Sequence, residues 1–200
     1  FSRAALETLR QPLEDREVTV SRVEATVTYP ANFQLVAAMN PCPCGHFPDL
    51  ARCRCTEGQI TRYLQKISGP LLDRIDLCVE ASPVTYGDIR GGGENEASGA
   101  IRARVEQARE IQKERFMEEN IRCNGEMAGR HIRKYCVLGK EEETFMEEIF
   151  EKLALSARMH DRILKVARTT ADLAGASEIR LSELCEAVSY VKSREKFWGN

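Results

Sequence analysis

Four cysteines carry the densest chemistry in the sequence: Cys42, Cys44, Cys53 and Cys55, spaced C-x-C-x8-C-x-C. Four thiolates bind Zn²⁺ tetrahedrally, with Zn–S near ~2.3 Å. These pairs are tighter than the usual spacing of structural zinc sites. Free thiols, an iron–sulfur cluster and a disulfide are the alternatives. A four-ligand site leaves no open position, so the metal chemistry it supports is structural rather than catalytic. His46 is a further ligand candidate, or simply a loop residue. Just upstream, an apolar run ends on Asn40. A polar side chain at a strand end can leave the core and reach a ligand. Its carboxamide can orient a water or touch a terminal phosphate; beside Pro41 it can equally bond a local turn. Arg74 sits between Asp73 and Asp76. It can clamp charge developing on a transferring phosphoryl group, or hold a turn by pairing with either carboxylate. Arg158 falls in the first turn of an expected helix, where its charge opposes the helix dipole and an anionic ligand would offset the cost. Arg22 occupies an expected hairpin tip. There it can track nucleic-acid phosphates without reading sequence, or serve as an ordinary turn residue.

The elements that must position these groups follow from patterning. Ala4, Leu6, Leu9 and Leu13 have helical spacing up to Pro12, and Glu14-Asp15-Arg16 turns the chain. Val18–Val20 and Ala25–Tyr29 are β-branched runs that read as a hairpin tipped by Ser21-Arg22-Val23-Glu24. Phe33–Met39 reads as an apolar strand buried on both faces, and Ile75–Val79 as another strand. Thr56 and Gln59 form a capping-box pattern ahead of Ile60, Tyr63, Leu64 and Ile67, and Ser68-Gly69-Pro70 stops that helix. The glycine-rich stretch 89–97 is a flexible joint. It divides an α/β part, residues 1–88, from a helical part, 98–200. In the helical part, Ile101 to Phe116, Phe145 to Leu153, Met159 to Thr170 and Leu181 to Val191 each mark a helix, the third capped by Ser156 and ended by Gly175.

Composition narrows the field. The 200 residues are 42% apolar and 30% charged, with a net charge of −2. That balance supplies a core and no global attraction to nucleic acid. No apolar run approaches the ~20 residues that span a bilayer, so no membrane partner is expected. Eight cysteines and an N-terminus unlike a signal peptide point to the reducing cytoplasm. Phe1 in place of an initiator Met reads as an interior segment. No Gly-x-x-x-x-Gly-Lys-Ser/Thr occurs, since Gly139-Lys140 is followed by Glu141.

Asn40-Pro-Cys-Pro-Cys44, Gly69-Pro-Leu-Leu-Asp-Arg-Ile-Asp76 and Ser156-Ala-Arg158 together resemble the second half of the motor domain in magnesium-chelatase-like AAA+ ATPases, on their competence-linked branch. The resemblance implies an α/β piece of a P-loop AAA+ core, a hairpin plus two parallel-sheet strands with helices, followed by an all-α helical lid. It implies that Asn40 is sensor 1, that Arg158 is sensor 2 reaching the γ-phosphate, and that Arg74 is an arginine finger acting on the neighbouring subunit. It puts the hairpin bearing Arg22 in the pore of a hexameric homo-oligomeric ring on DNA, with ATP and Mg²⁺ bound through an upstream half. Arg168 matches a recurrent Ala-Arg-Thr with no implied role. On this basis the chain alone is expected not to hydrolyse ATP. A chelatase subunit driving metal insertion and a zinc-stabilised partner-binding module are the other function classes.

Overall fold

The computed structural model describes residues 1–82, 84, 86–90 and 96–198. The chain divides into one unit of Phe1–Leu77 with Arg194–Asn200, and another of Cys78–Ser193. The glycine joint falls largely on residues 91–95, outside the described residues.

In the first unit, helix α1 (Arg3–Glu7) leads into α2 (Arg10–Asp15). Helix α2 runs through Pro12 rather than stopping there. Pro12 lies in its first turn, where a missing N–H costs nothing because that donor has no intrahelical acceptor. Arg16, left-handed at φ 60°, ends the helix with its N–H on the Pro12 carbonyl. Strands β1 (Glu17–Ser21) and β2 (Thr26–Pro30) then pair antiparallel, Thr19 opposite Thr28. The alternation of a strand puts Val18, Val20, Val27 and Tyr29 on one face. The other face carries a hydroxyl ladder, Thr19 to Thr28 at 3.1 Å and Ser21 to Thr26 at 2.7 Å. Helix α3 (Glu57–Leu64) begins at the expected capping box: Thr56 Oγ1 accepts from the Gln59 N–H at 3.3 Å, and Gln59 Oε1 from the Thr56 N–H at 2.9 Å. Ser68 does more than stop α3, because it caps a short helix α4 (Gly69–Leu72).

Two expected strands do not form. Segments 33–39 and 75–79 belong to no ladder, and β1–β2 is the one sheet among the described residues. Val36 is 83% and Val79 75% exposed. A strand exists only where a neighbour takes up its N–H and C=O groups. Neither segment joins a ladder among the described residues, so the parallel-sheet part of the expected core is absent from them.

The second unit starts with α5 (Tyr86–Arg90) and is helical. Helix α6 (Ser98–Arg115), α7 (Gly129–Tyr135), α8 (Lys140–Lys152), α9 (Ala157–Leu173) and α10 (Leu181–Trp198) follow; the last residues of α10 belong to the first unit. Helix α9 packs against α6 and α7. The core gathers Phe116, Met127, Met146, Ile163, Leu184 and Val188. Ser156 caps α9, its Oγ accepting from the Met159 N–H at 3.2 Å, and Gly175 follows the end of the helix at φ +67°. Replacing Ser156 with Ala is expected to lower stability by about 1 kcal/mol. Faster hydrogen exchange in the first turn of α9, reversed by Ser156→Asp, is the readout.

Candidate functional site

The chain enters the thiol loop through Asn40-Pro41-Cys42-Pro43-Cys44, in which two prolines fix alternate φ angles. Cys42 is fully buried. Its carbonyl accepts from the Gly45 N–H at 3.1 Å, closing a tight turn. Gly45 takes φ +82°, a conformation open to glycine without a Cβ penalty. The turn carries the chain past its own start: a Cβ at Gly45 would lie 3.5 Å from Asn40 Nδ2. The second thiol pair arrives after Asp49, whose carbonyl accepts from the Cys53 N–H at 2.7 Å.

The four sulfurs lie within 4.8 Å of one another, and among the described residues His46 is not part of the group. Cys42 Sγ is 3.4 Å from Cys44 Sγ and 3.8 Å from Cys53 Sγ, and Cys44 to Cys53 is 3.6 Å. Sulfurs at ~2.3 Å from a tetrahedral ion stand about 3.8 Å apart, so Cys42, Cys44 and Cys53 already have nearly the separations that zinc requires, with Cys55 within 4.8 Å of each. The Phe47 N–H points at Cys42 Sγ from 3.4 Å, and such donors stabilise thiolates. Backbone N–H groups of His46 and then Arg54 draw the Cys44 thiol down to about 6. Burial, foremost, pushes Cys55 up to about 12. A set of four thiols holding one ready thiolate suits capture of a divalent cation, whose charge then favours ionisation of the rest. Of the other cysteines, Cys136 is buried, Cys78 and Cys123 are partly exposed and Cys185 is exposed.

Asn40 is exposed and sits beside the thiol loop. Arg74 follows α4, its side chain only 17% exposed. It pairs with Glu14 on α2 and donates to the Pro70 carbonyl at 2.5 Å. Sequence reasoning did not anticipate Glu14, which lies 60 positions away (74 − 14). Asp73, one of the two carboxylates expected beside Arg74, accepts from Arg194 at 2.7 Å. Arg22 is exposed at the hairpin tip, its N–H closing the turn on the Ala25 carbonyl at 2.9 Å. Arg158 is exposed in the first turn of α9. The structure therefore brings Asn40 to the cysteines, holds Arg74 against α2, and carries Arg158 in the other unit.

Arg168 has a structural place. It is buried on α9, donates to Asp172 at 3.1 Å, and satisfies the carbonyls of Ser177 at 2.8 Å and Ala176 at 2.5 Å. Asp172, with a wholly buried side chain, also receives both arms of the Arg115 guanidinium, at 2.7 and 2.5 Å, and Asn124 Nδ2 at 2.7 Å. Gln112 completes the cluster by accepting from the Asn124 N–H at 3.1 Å. Two cations, one carboxylate and two amides thus tie α6 and the 3-10 turn at 124–126 to α9.

A β hairpin, a thiol loop after a strand-like segment and a helical unit define the second part of a magnesium-chelatase-like protein, and the chain belongs to that family. The pattern described as "Magnesium chelatase, subunit ChlI" matches residues 1–89, and its C-terminal counterpart matches 95–191. Competence protein ComM of Haemophilus influenzae is 43% identical over 191 residues, 95% of this chain and 36% of that protein. YifB of Salmonella typhimurium is 43% identical over 95% of this chain and 37% of its own length. A Mycobacterium bovis protein, Mb2921c, is 38% identical over the same shares. The chain thus spans little more than a third of the curated relatives it matches. Among the described residues no helix is long and apolar enough to cross a membrane.

Proposed function

We propose that the full-length protein is an ATP-hydrolysing AAA+ ring motor of the cytoplasm that moves along DNA at branched intermediates, during DNA uptake or recombination. The observation carrying this reading is the 43% identity, over 95% of the chain, to a protein named for competence. In it Asn40 and Arg158 act on the nucleotide of their own subunit, and Arg74 reaches the nucleotide of the next subunit in a homo-hexamer. Exposed Arg158 fits that task, since an anion at the start of α9 would relieve its conflict with the helix dipole. ATP and Mg²⁺ are held mainly by the part of the protein outside this chain, which by itself does not turn over ATP. Arg22 contacts DNA phosphates. Zn²⁺ at Cys42, Cys44, Cys53 and Cys55 is structural, a role supported by the sulfur separations.

The description of both matching patterns as magnesium chelatase favours a second reading, in which the same ATPase drives metal insertion. ATP turnover by the purified full-length protein, with and without forked DNA, separates the two. Stimulation by DNA is the expected result. Turnover indifferent to DNA transfers the assignment to chelatase-like work, and absence of turnover sinks both.

A further inference from the structure

We propose that the thiol loop is a positioning device for Asn40. With a divalent metal on the four sulfurs, the carboxamide is fixed at the end of segment 33–40; with the sulfurs empty, it is released. The inference rests on the reading of Asn40 as a nucleotide contact. Pro41 alone separates Asn40 from Cys42, so the first metal ligand and the carboxamide share one stiff stretch of backbone. Cys42 is the buried member of the quartet, and its carbonyl holds the turn at Gly45. That turn lays bare backbone against the carboxamide: a Cβ at Gly45 would meet Asn40 Nδ2 at 3.5 Å and Cγ at 3.6 Å. On its other side Asn40 continues into segment 33–39, which has no ladder partner among the described residues. The orientation of Asn40 therefore depends on the loop that follows it. Three of the sulfurs lie 3.4–3.8 Å apart and all four within 4.8 Å, so one bound cation ties the two ends of the loop, Cys42 with Cys44 and Cys53 with Cys55, to a single point. Losing the ion removes that tie, and the loosening reaches Asn40 through Pro41 and Gly45.

The test uses the full-length protein and zinc as the probe. Zinc content, ATP turnover and hydrogen exchange are measured on wild type, Asn40→Ala, Cys55→Ser, the double variant and Gly45→Ala. Asn40→Ala is expected to keep one zinc per chain and lose about 10²-fold in turnover, the scale of one lost transition-state contact. Cys55→Ser is expected to lose the zinc and fall equally, with the double variant no slower than either. Gly45→Ala keeps all four thiols; it should retain zinc yet turn over slowly. Without nucleotide, stripping zinc with a chelator should speed exchange at Asn40, Cys42 and Cys44–Phe47 and leave α9 unchanged. Zinc-free protein with wild-type turnover, beside a slow Asn40→Ala, overturns the coupling while the role of Asn40 stands. Exchange that spreads to α9 also overturns it, because the metal would then be a general fold stabiliser. Full turnover in Asn40→Ala removes the reading of Asn40 itself, and this proposal with it.

Discussion

ATP turnover by the full-length protein is expected to fall about 10³–10⁵-fold when Arg74 is replaced by alanine, the range typical of an arginine finger. That is about 4–7 kcal/mol of lost transition-state stabilisation. The pairing of Arg74 with Glu14 does not compete on this scale. Glu14 is about half exposed, and pairs of that kind contribute about 1 kcal/mol or less. The Glu14 pair alone is therefore a small obstacle to a phosphate contact by Arg74 beside the loss expected at the transition state. Arg74→Lys keeps the charge but not the planar fork; it should stay slow with an unfolding midpoint near wild type. Mixing provides the sharper check. Arg74→Ala subunits retain Arg158, and Arg158→Ala subunits retain Arg74, so mixed rings contain complete interfaces and should recover turnover that neither variant shows alone. Failure to recover means that Arg74 does not act across subunits.

Asp172→Ala is expected to destabilise the helical unit by about 3–5 kcal/mol, because it strands two guanidinium groups in a site built around one carboxylate. Arg168 is 3% exposed and the Arg115 side chain 14%, so water cannot replace the lost partner cheaply. Hydrogen exchange of α9 amides across a urea series reads the local stability. Arg115→Ala/Asp172→Ala should cost less than the two single changes combined, since the double change removes one of the stranded cations. A loss below about 1 kcal/mol for Asp172→Ala would falsify the account of a tightly paired buried charge.

What could be read from the sequence was what is determined locally. Thr56 with Gln59, Ser156, and the paired β-branched runs act over three to ten residues, and each produced its element. Segments 33–39 and 75–79 have strand composition, but a strand is completed by partners elsewhere, which no local pattern supplies. Helix α9 was recognised from Met159, Ile163, Val166 and Thr170; Ile163 lies in the core and Met159 and Val166 pack against it. The sequence assigned no role to Arg168, whose buried pairing with Asp172 depends on groups brought in from α6 and the turn at 124–126. The start of α7 carries no such local signal: His131 Nδ1 accepts the Ala128 N–H at 3.0 Å. At the candidate site the spacing of the four thiols was enough to expect their clustering, which the structure shows within 4.8 Å. The contact of Gly45 with Asn40 was not legible, because it depends on the positive φ that folds the loop back.

The cluster around Asp172 also bears on how this sequence can change over generations. Arg115, Asn124, Arg168 and Asp172 come from three stretches of chain, yet the carboxylate of Asp172 is the shared partner of the other three. Apolar side chains could fill much of that volume at little cost once all the charges are gone. Every single step toward that state leaves a buried charge or amide alone. Each intermediate is therefore expected to be less stable than either end, so one-at-a-time substitution meets a barrier that simultaneous replacement of the four would avoid.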